Sequence, residues 1–88
     1  MEKNDYIQWL IQWFQENESV NSIDIESDFF ANGLLGSLQT LKLVIDIESS
    51  FQLSLPDSAL TNSKFSSING LATILSELIN AKDISYVE

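Results

Sequence analysis

Apolar residues recur every three to four positions in three stretches of this 88-residue chain, which is the spacing of one face of an α-helix. The first stretch runs from about Asn4 to Glu16, the second from Ser37 to about Phe51, and the third from about Ser67 to Ala81. No stretch sustains the polar–apolar alternation of a strand, and the short segment SIDIES is interpreted as loop. The pattern therefore predicts three main helices.

A fourth, short helix is expected between the second and third stretches. Pro56 ends any regular helix, whereas Asp57 or Ser58 can cap a short one that reaches Leu60. The predicted fold class is therefore all-α: a small four-helix bundle with three main helices and a short third helix.

The chain is short enough to form one domain over its whole length. We expect its core at about 5–80 and a flexible tail at 81–88. Asn4 or Asp5 can cap the first helix, and Ser66 can cap the last one.

The stretch Asn17–Gly36 has no helical period and reads as a long acidic loop. Loops of this length in a compact domain are usually functional or anchored to the core. The expected anchors are the apolar residues near its end, Phe29, Phe30, Leu34 and Leu35.

Alternating acids in this loop resemble the start of a calcium-binding loop that begins at Asp24. The sixth position is Phe29 instead of glycine, and the twelfth is Leu35 instead of glutamate. A solvated acidic loop is therefore favoured over an EF-hand.

The first helix carries a second apolar stripe made of Tyr6, Trp9 and Trp13. The favoured interpretation is that the long loop packs over it, and the alternative is a contact with a partner or a second copy.

The second helix also carries two apolar stripes. One forms an ordinary core face with Leu43, Val44, Ile47 and Phe51, flanked by Thr40. The other consists of Leu38, Leu41 and Ile45, and lies roughly 150° around the helix at about 100° per residue. A helix at the edge of a small bundle cannot bury both faces, so the second stripe is expected to stay accessible for a contact. The alternative is that the short third helix and the loop cover it.

Composition narrows the function classes. Thirteen acids against four lysines and no arginine give a net charge of −9, which argues against nucleic acid or an anionic membrane as partner. The chain has no cysteine for a disulfide or thiol chemistry and no histidine for the usual general base. The acidic and polar amino terminus is unlike a signal peptide, and no apolar run approaches the ~18 residues of a membrane span, so a cytoplasmic protein is expected.

Ser37 lies at the predicted start of the second helix and has two interpretations. Serine is a favoured N-cap, although the capping-box position three residues later holds Thr40. Alternatively, Ser37 is modified by another enzyme, since a phosphate attached there would be stabilised by free N–H groups and by the helix dipole. A self-activated nucleophile is not supported, because the chain lacks histidine and arginine.

The stretch DFFANGLLGSLQTLKLVIDIESSFQLSLPDSALTNSKFSSINGLATIL resembles the acyl carrier and peptidyl carrier proteins, and the likeness covers about residues 5 to 80. In that family a loop ending in glycine and leucine precedes a serine, a helix of the pattern L..IE..F, a Pro-Asp turn and a last amphipathic helix. The matching residues are Gly33, Leu34, Leu35, Ser37, Leu38, Leu43, Ile47, Glu48, Phe51, Leu55, Pro56 and Asp57.

The resemblance implies that a phosphopantetheinyl transferase attaches 4′-phosphopantetheine from coenzyme A to Ser37. Acyl or aminoacyl groups would ride on the arm as thioesters. A loading enzyme (an adenylating ligase or an acyltransferase) and downstream synthase, modifying or releasing enzymes would then act on a monomeric carrier that is not itself an enzyme. The partner-binding residues so implied are Leu35, Gly36, Leu38, Gln39, Leu41, Lys42, Ile45, Glu48 and Leu60.

Two features depart from the family pattern. Gly36 stands where the family usually has aspartate, which points to a tolerant or dedicated transferase. From Ser37 to Phe51 the net charge is −1, from Lys42 against Asp46 and Glu48, so docking should depend on the leucines more than on charge.

The phrase FxxGLLxS looks most like discrete carriers of aminoacyl groups, including D-alanyl carriers, and like stand-alone peptidyl or polyketide carriers. The alternative class is an unmodified carrier-fold protein that binds a partner directly through Leu38, Leu41 and Ile45.

Overall fold

A computed structural model describes residues 2–18 and 22–86. Over these residues the protein is all-helical: α1 is Lys3–Asn17, α2 is Ser37–Phe51, α3 is Asp57–Leu60 and α4 is Ile68–Tyr86. A 3-10 helix, Ser63–Ser66, lies between α3 and α4 and was not predicted. The four-helix, all-α prediction is confirmed.

The core lies where α4 packs against α1 and against the 3-10 helix. Apolar residues from every helix are buried in it, and the largest fully buried side chains are Tyr6, Phe14, Phe29, Leu10, Leu43, Ile47, Ile68, Leu71 and Leu75. Gly70 permits the close approach of α4 to the 3-10 helix, because a Cβ at this position would overlap the backbone carbonyl of Lys64. The small cost of glycine in a helix is thus offset by a contact that no larger residue allows.

Aromatic contacts and one hydrogen bond join α1 to α2. The Phe51 ring lies 5.3 Å from the Tyr6 ring and 5.2 Å from the Trp9 ring, measured between centroids. The Trp13 indole Nε1 donates a hydrogen bond to Asp46 Oδ2 at 2.7 Å. The second stripe of α1 therefore packs against α2 instead of the long loop, and that prediction was wrong because Phe51 and Asp46 reach across from the neighbouring helix.

The described part of the long loop is hydrogen-bonded to the 3-10 helix and to the start of α4. The Phe29 N–H donates to the Ser66 carbonyl at 2.8 Å, and the Asn69 N–H donates to the Ile25 carbonyl at 2.9 Å. Of the four expected anchors, Phe29 and Leu35 are buried and Leu34 is half-buried, whereas Phe30 remains 41% exposed. This loop therefore fixes the approach to the start of α2.

Two of the predicted helix caps were displaced. α1 begins at Lys3, and the Asp5 carboxylate accepts a hydrogen bond from the Glu2 N–H at 2.8 Å, so Asp5 lies inside the first turn. At α4, Ser67 is the capping residue, because its Oγ accepts from the Gly70 N–H at 3.0 Å. Ser66 belongs to the preceding 3-10 helix. Such shifts of one or two residues arise because several neighbouring polar residues can serve as caps.

The carboxyl-terminal helix is longer than expected. α4 continues to Tyr86 and so includes residues 81–86 of the expected tail, whose flexibility remains a prediction, and the rest of that tail lies outside the described residues. The segment AKDISY contains neither glycine nor proline, and therefore no residue in it ends the helix.

Candidate functional site

Ser37 is the first residue of α2, one position inside the helix. The N-cap is Gly36, in an extended conformation with φ −96° and ψ −173°, and it has no side chain to cap the helix. The Thr40 N–H and Oγ1 both bond the Gly36 carbonyl, at 2.9 Å and 2.7 Å. The interpretation of Ser37 as a helix cap is therefore wrong, because the chain enters the helix one residue earlier.

The surroundings of Ser37 fit a phosphate ester. Ser37 is exposed, and the N-cap residue Gly36 has no side chain that could accept a hydrogen bond from the first turn of α2. The first N–H groups of a helix have no partner within the helix, and together with the helix dipole they favour an anion. A phosphodiester on the Ser37 oxygen would add the negative charge at the end of the helix that stabilises it.

The exposed apolar stripe of α2, defined by Leu38, Leu41 and Ile45, begins beside Ser37. These side chains are 78%, 58% and 54% exposed, respectively. The prediction that this stripe stays accessible is confirmed, and the alternative that α3 and the loop cover it is wrong. The opposite face behaves as expected, with Leu43 and Ile47 fully buried. Leu60 on α3 is another exposed large apolar side chain, at 39%.

Lys42 and Asp46 form an ion pair along α2, with Nζ 3.1 Å from Oδ2. The same carboxylate oxygen accepts the Trp13 hydrogen bond. The pKa of Asp46 is lowered, first by the hydrogen bond from Trp13 and then by the hydrogen bond and charge of Lys42, while desolvation opposes the shift. This carboxylate is therefore ionised at neutral pH and held toward α1.

The second acid of α2, Glu48, also accepts a hydrogen bond from another part of the chain. The Glu48 carboxylate accepts a hydrogen bond from the Leu55 N–H at 2.7 Å and thereby holds the connection between α2 and α3. Glu48 is half-buried.

The predicted partner-binding residues fall into a surface group near the stripe and a group with structural contacts within the chain. Leu35 is buried in the core at 4% exposure, so it supports the start of α2 from beneath and does not lie on the surface. Gly36, Gln39 and Lys42 are exposed near the stripe, whereas Glu48 acts as a structural contact. The partner role of these residues remains a prediction.

The hydrogen bond from Trp13 to Asp46 was not predicted from the sequence. The two residues are 33 positions apart, and helical periodicity carries no information on which helices become neighbours. The available signals were the aromatic stripe of α1 and an indole N–H that needs an acceptor when buried.

The acids of the loop mainly shape its turns. The Asp28 Oδ1 accepts from the Phe30 and Ala31 N–H groups, both at 2.9 Å, and the Asp24 Oδ1 accepts from the Glu26 N–H at 2.9 Å. Over the described residues, no cluster of three acidic side chains is placed to hold a metal ion. In the same part of the chain, no helix combines the length and the apolar character needed to cross a bilayer.

A small helical bundle that presents an exposed serine at the start of its second helix is the architecture of a carrier protein. Comparison with characterised proteins agrees. The chain is 34% identical over 58 residues to the D-alanyl carrier protein of Leuconostoc mesenteroides subsp. mesenteroides, covering 66% of this chain and 74% of the relative.

Two further relatives carry the same name. The D-alanyl carrier protein of Leuconostoc citreum is 33% identical over 58 residues, with 66% of this chain and 74% of the relative covered. That of Lactococcus lactis subsp. cremoris is 30% identical over 54 residues, with 61% and 68% covered. No family model matches the chain, and no solved structure matches it.

The chain therefore belongs to the phosphopantetheine-dependent carrier protein family, and it is a carrier protein. The prosthetic group of this family is a covalent 4′-phosphopantetheine arm.

Proposed function

We propose that this protein holds an aminoacyl group, and specifically a D-alanyl group, as a thioester on a 4′-phosphopantetheine arm attached to Ser37. The cargo is suggested by the name of the relatives. The observation that carries the proposal is the exposed Ser37 hydroxyl on the uncapped first turn of α2, directly before the exposed apolar stripe.

The arm supplies the thiol that the chain lacks, since there is no cysteine in the sequence. Attachment forms a bond between Ser37 Oγ and the phosphorus of the phosphopantetheinyl group. The bond from that phosphorus to the adenosine 3′,5′-bisphosphate of coenzyme A breaks, and the Ser37 proton leaves to a base. This chain has no histidine to act as that base, so a phosphopantetheinyl transferase must provide it.

The residues of this chain then position the modified serine. The first-turn N–H groups of α2 stabilise the phosphodiester, and Leu35 fixes the preceding loop in the core. The exposed apolar stripe and Leu60 offer apolar area to the transferase, to an adenylating ligase and to a downstream acceptor enzyme. The protein is thus a substrate that meets its enzymes in trans, and it catalyses no reaction itself.

Intact-protein mass spectrometry tests the attachment. After incubation with coenzyme A and a phosphopantetheinyl transferase, the mass should rise by one phosphopantetheinyl group. Ser37→Ala should show no gain, whereas Ser49→Ala, which removes another exposed serine of the same helix, should be modified normally. An unmodified wild-type protein, also with the transferase of its own host, would contradict the proposal and favour a carrier fold that acts only as an interaction module.

The cargo is tested on the modified protein with ATP and a D-alanine-activating ligase. We expect the mass to rise by one alanyl group that hydroxylamine releases, as it does other thioesters. L-Alanine and a short fatty acid with its own ligase serve as comparisons. Loading of the fatty acid alone would retain the carrier role but reject the aminoacyl cargo.

A further inference from the structure

The exposed apolar stripe of α2 has an acid on each side of it. Asp46 lies on the side that faces α1, where it meets Trp13, and Glu48 lies on the side that faces the connection to α3, where it meets Leu55. A partner that covers the stripe would therefore come close to both carboxylates.

Both carboxylates are already engaged. Lys42 neutralises Asp46, and the buried Trp13 indole holds its Oδ2 atom at 2.7 Å. Glu48 accepts the Leu55 N–H at 2.7 Å. The acids of α2 are thus paired with groups of this chain, so the stripe lacks the row of unpaired carboxylates that would attract a basic partner.

The net charge of −9 is concentrated elsewhere. Apart from Asp46 and Glu48, the acids of the described residues lie on or beside α1, in the loop before α2, on α3 and on α4, at Glu2, Asp5, Glu16, Glu18, Asp24, Glu26, Asp28, Asp57, Glu77 and Asp83. A strongly acidic protein therefore presents an apolar, nearly neutral face beside Ser37.

We propose that this face docks on an apolar, uncharged groove of its partner enzymes, and that Trp13 and Lys42 determine this specificity by keeping the Asp46 charge masked. The inference rests on the proposed function, since it supposes that enzymes come to Ser37. Its novel element is the role of Trp13, which lies on α1 and reaches the docking helix only through Asp46.

Salt dependence is the first test, with the phosphopantetheinyl transferase of the host as the probe. The KM for this protein should change by less than about twofold between about 0.1 M and about 1 M sodium chloride, over which the Debye length falls from about 10 Å to about 3 Å. Leu41→Asp should raise KM at least tenfold, roughly the effect of losing one apolar side chain that becomes buried in the complex. A KM that rises steeply with salt for the wild type would overturn the proposal.

Lys42→Met gives the sharper test because the two kinds of partner predict opposite signs. On an uncharged groove the unmasked Asp46 must lose its hydration, so KM should rise about fivefold or more. On a basic groove the same carboxylate would gain a partner and KM would fall, which would reject the proposal. Lys64→Met is the matched control, since it removes one exposed lysine from the 3-10 helix and should leave KM unchanged.

Trp13→Phe tests the link through α1. It keeps an aromatic ring in the core but removes the N–H donor to Asp46, so KM should rise in the same direction as for Lys42→Met. Circular dichroism tests whether the Trp13→Phe variant is folded. If it is not, the surface variant Lys42→Met alone provides the test. An unchanged KM in both variants would reject the masking role.

Two controls separate this inference from the proposed function. Titration calorimetry of the unmodified protein with the transferase measures docking without attachment. Salt-independent binding without a mass gain would support the docking inference and reject attachment at Ser37. Attachment at Ser37 with salt-sensitive binding would support the proposed function and reject the docking inference. Neither binding nor attachment would reject both. Sedimentation tests a second copy as the occupant, and a dimer lost in Leu41→Asp would overturn the choice of an enzyme partner.

Discussion

α1 and α4 are joined differently from α1 and α2. α1 and α4 approach closely along their backbones and bury medium-sized side chains such as Leu10 and Leu75 completely between elements of the core. α2 is attached to α1 by long groups instead: Phe51 lies against two aromatic rings, and Asp46 binds the indole of Trp13. The helix that carries Ser37 is therefore joined to α1 by a few specific contacts, while Leu43 and Ile47 bury its inner face in the core.

This difference suits a carrier. A closely packed pair of helices supplies the stability of the fold, because its stabilisation comes from buried apolar area. α2 buries only the face of Leu43 and Ile47 and leaves the opposite face open, so it can present both the serine and the apolar stripe. The following predictions test this division, from the largest expected effect to the smallest.

Leu75→Ala should destabilise the protein far more than Leu41→Ala. Leu75 is fully buried, so its truncation leaves a cavity and should lower the free energy of unfolding by about 2–5 kcal/mol. Leu41 is 58% exposed, and its truncation should change that free energy by less than about 0.5 kcal/mol. Urea denaturation followed by circular dichroism measures both, and equal losses would contradict the assignment of stability to the core.

Gly70→Ala tests the close approach of α4. Helix propensity alone predicts that alanine stabilises the helix by up to about 1 kcal/mol. The overlap of the added methyl group with the Lys64 carbonyl predicts the opposite, a loss of about 1–3 kcal/mol as in other overpacked sites. The sign of the change in urea denaturation decides between them.

Trp13→Phe should weaken the attachment of α2 without unfolding the α1–α4 pair. The loss of one hydrogen bond to a partly exposed carboxylate should cost about 1 kcal/mol. In the variant, the amide hydrogen exchange rates should increase more in α2 than in the middle of α4, each relative to the wild type. Uniformly faster exchange in both helices would show that α2 is as firmly integrated into the core as α4.

Asp46→Asn should remove a small pH dependence of stability. The pKa of Asp46 is lowered in the folded protein, so its carboxylate stabilises the fold above its unfolded pKa of about 3.9. That stabilisation is lost as the pH falls through the lower, folded pKa. The wild type should therefore exceed Asp46→Asn in stability near pH 7 by an amount that shrinks below about pH 4, as thermal melts in a pH series can show. A constant difference would mean that the charge of Asp46 contributes nothing.

Parts of the site followed directly from the sequence. Leu38, Leu41 and Ile45 fall on one side of a helix whose other side carries Leu43 and Ile47, so a second apolar stripe follows from the helical period. Its exposure was decided by the structure, since covering by the short third helix and the loop was the alternative. The carrier role was indicated by the resemblance to carrier proteins, which rests on a loop, Ser37, a helix and a Pro-Asp turn in the same order as in that family.

The chain by itself thus determined the helices and the second apolar stripe of α2, because these depend on local periodicity, and its resemblance to carrier proteins indicated the candidate serine. Tertiary structure decided which helix covers the aromatic stripe of α1, whether the apolar stripe of α2 stays exposed, how Gly70 is used, and that both acids of α2 accept hydrogen bonds from other parts of the chain. The pairing of Trp13 with Asp46 joins residues 33 positions apart, and such contacts depend on how whole helices pack, which a local pattern does not encode.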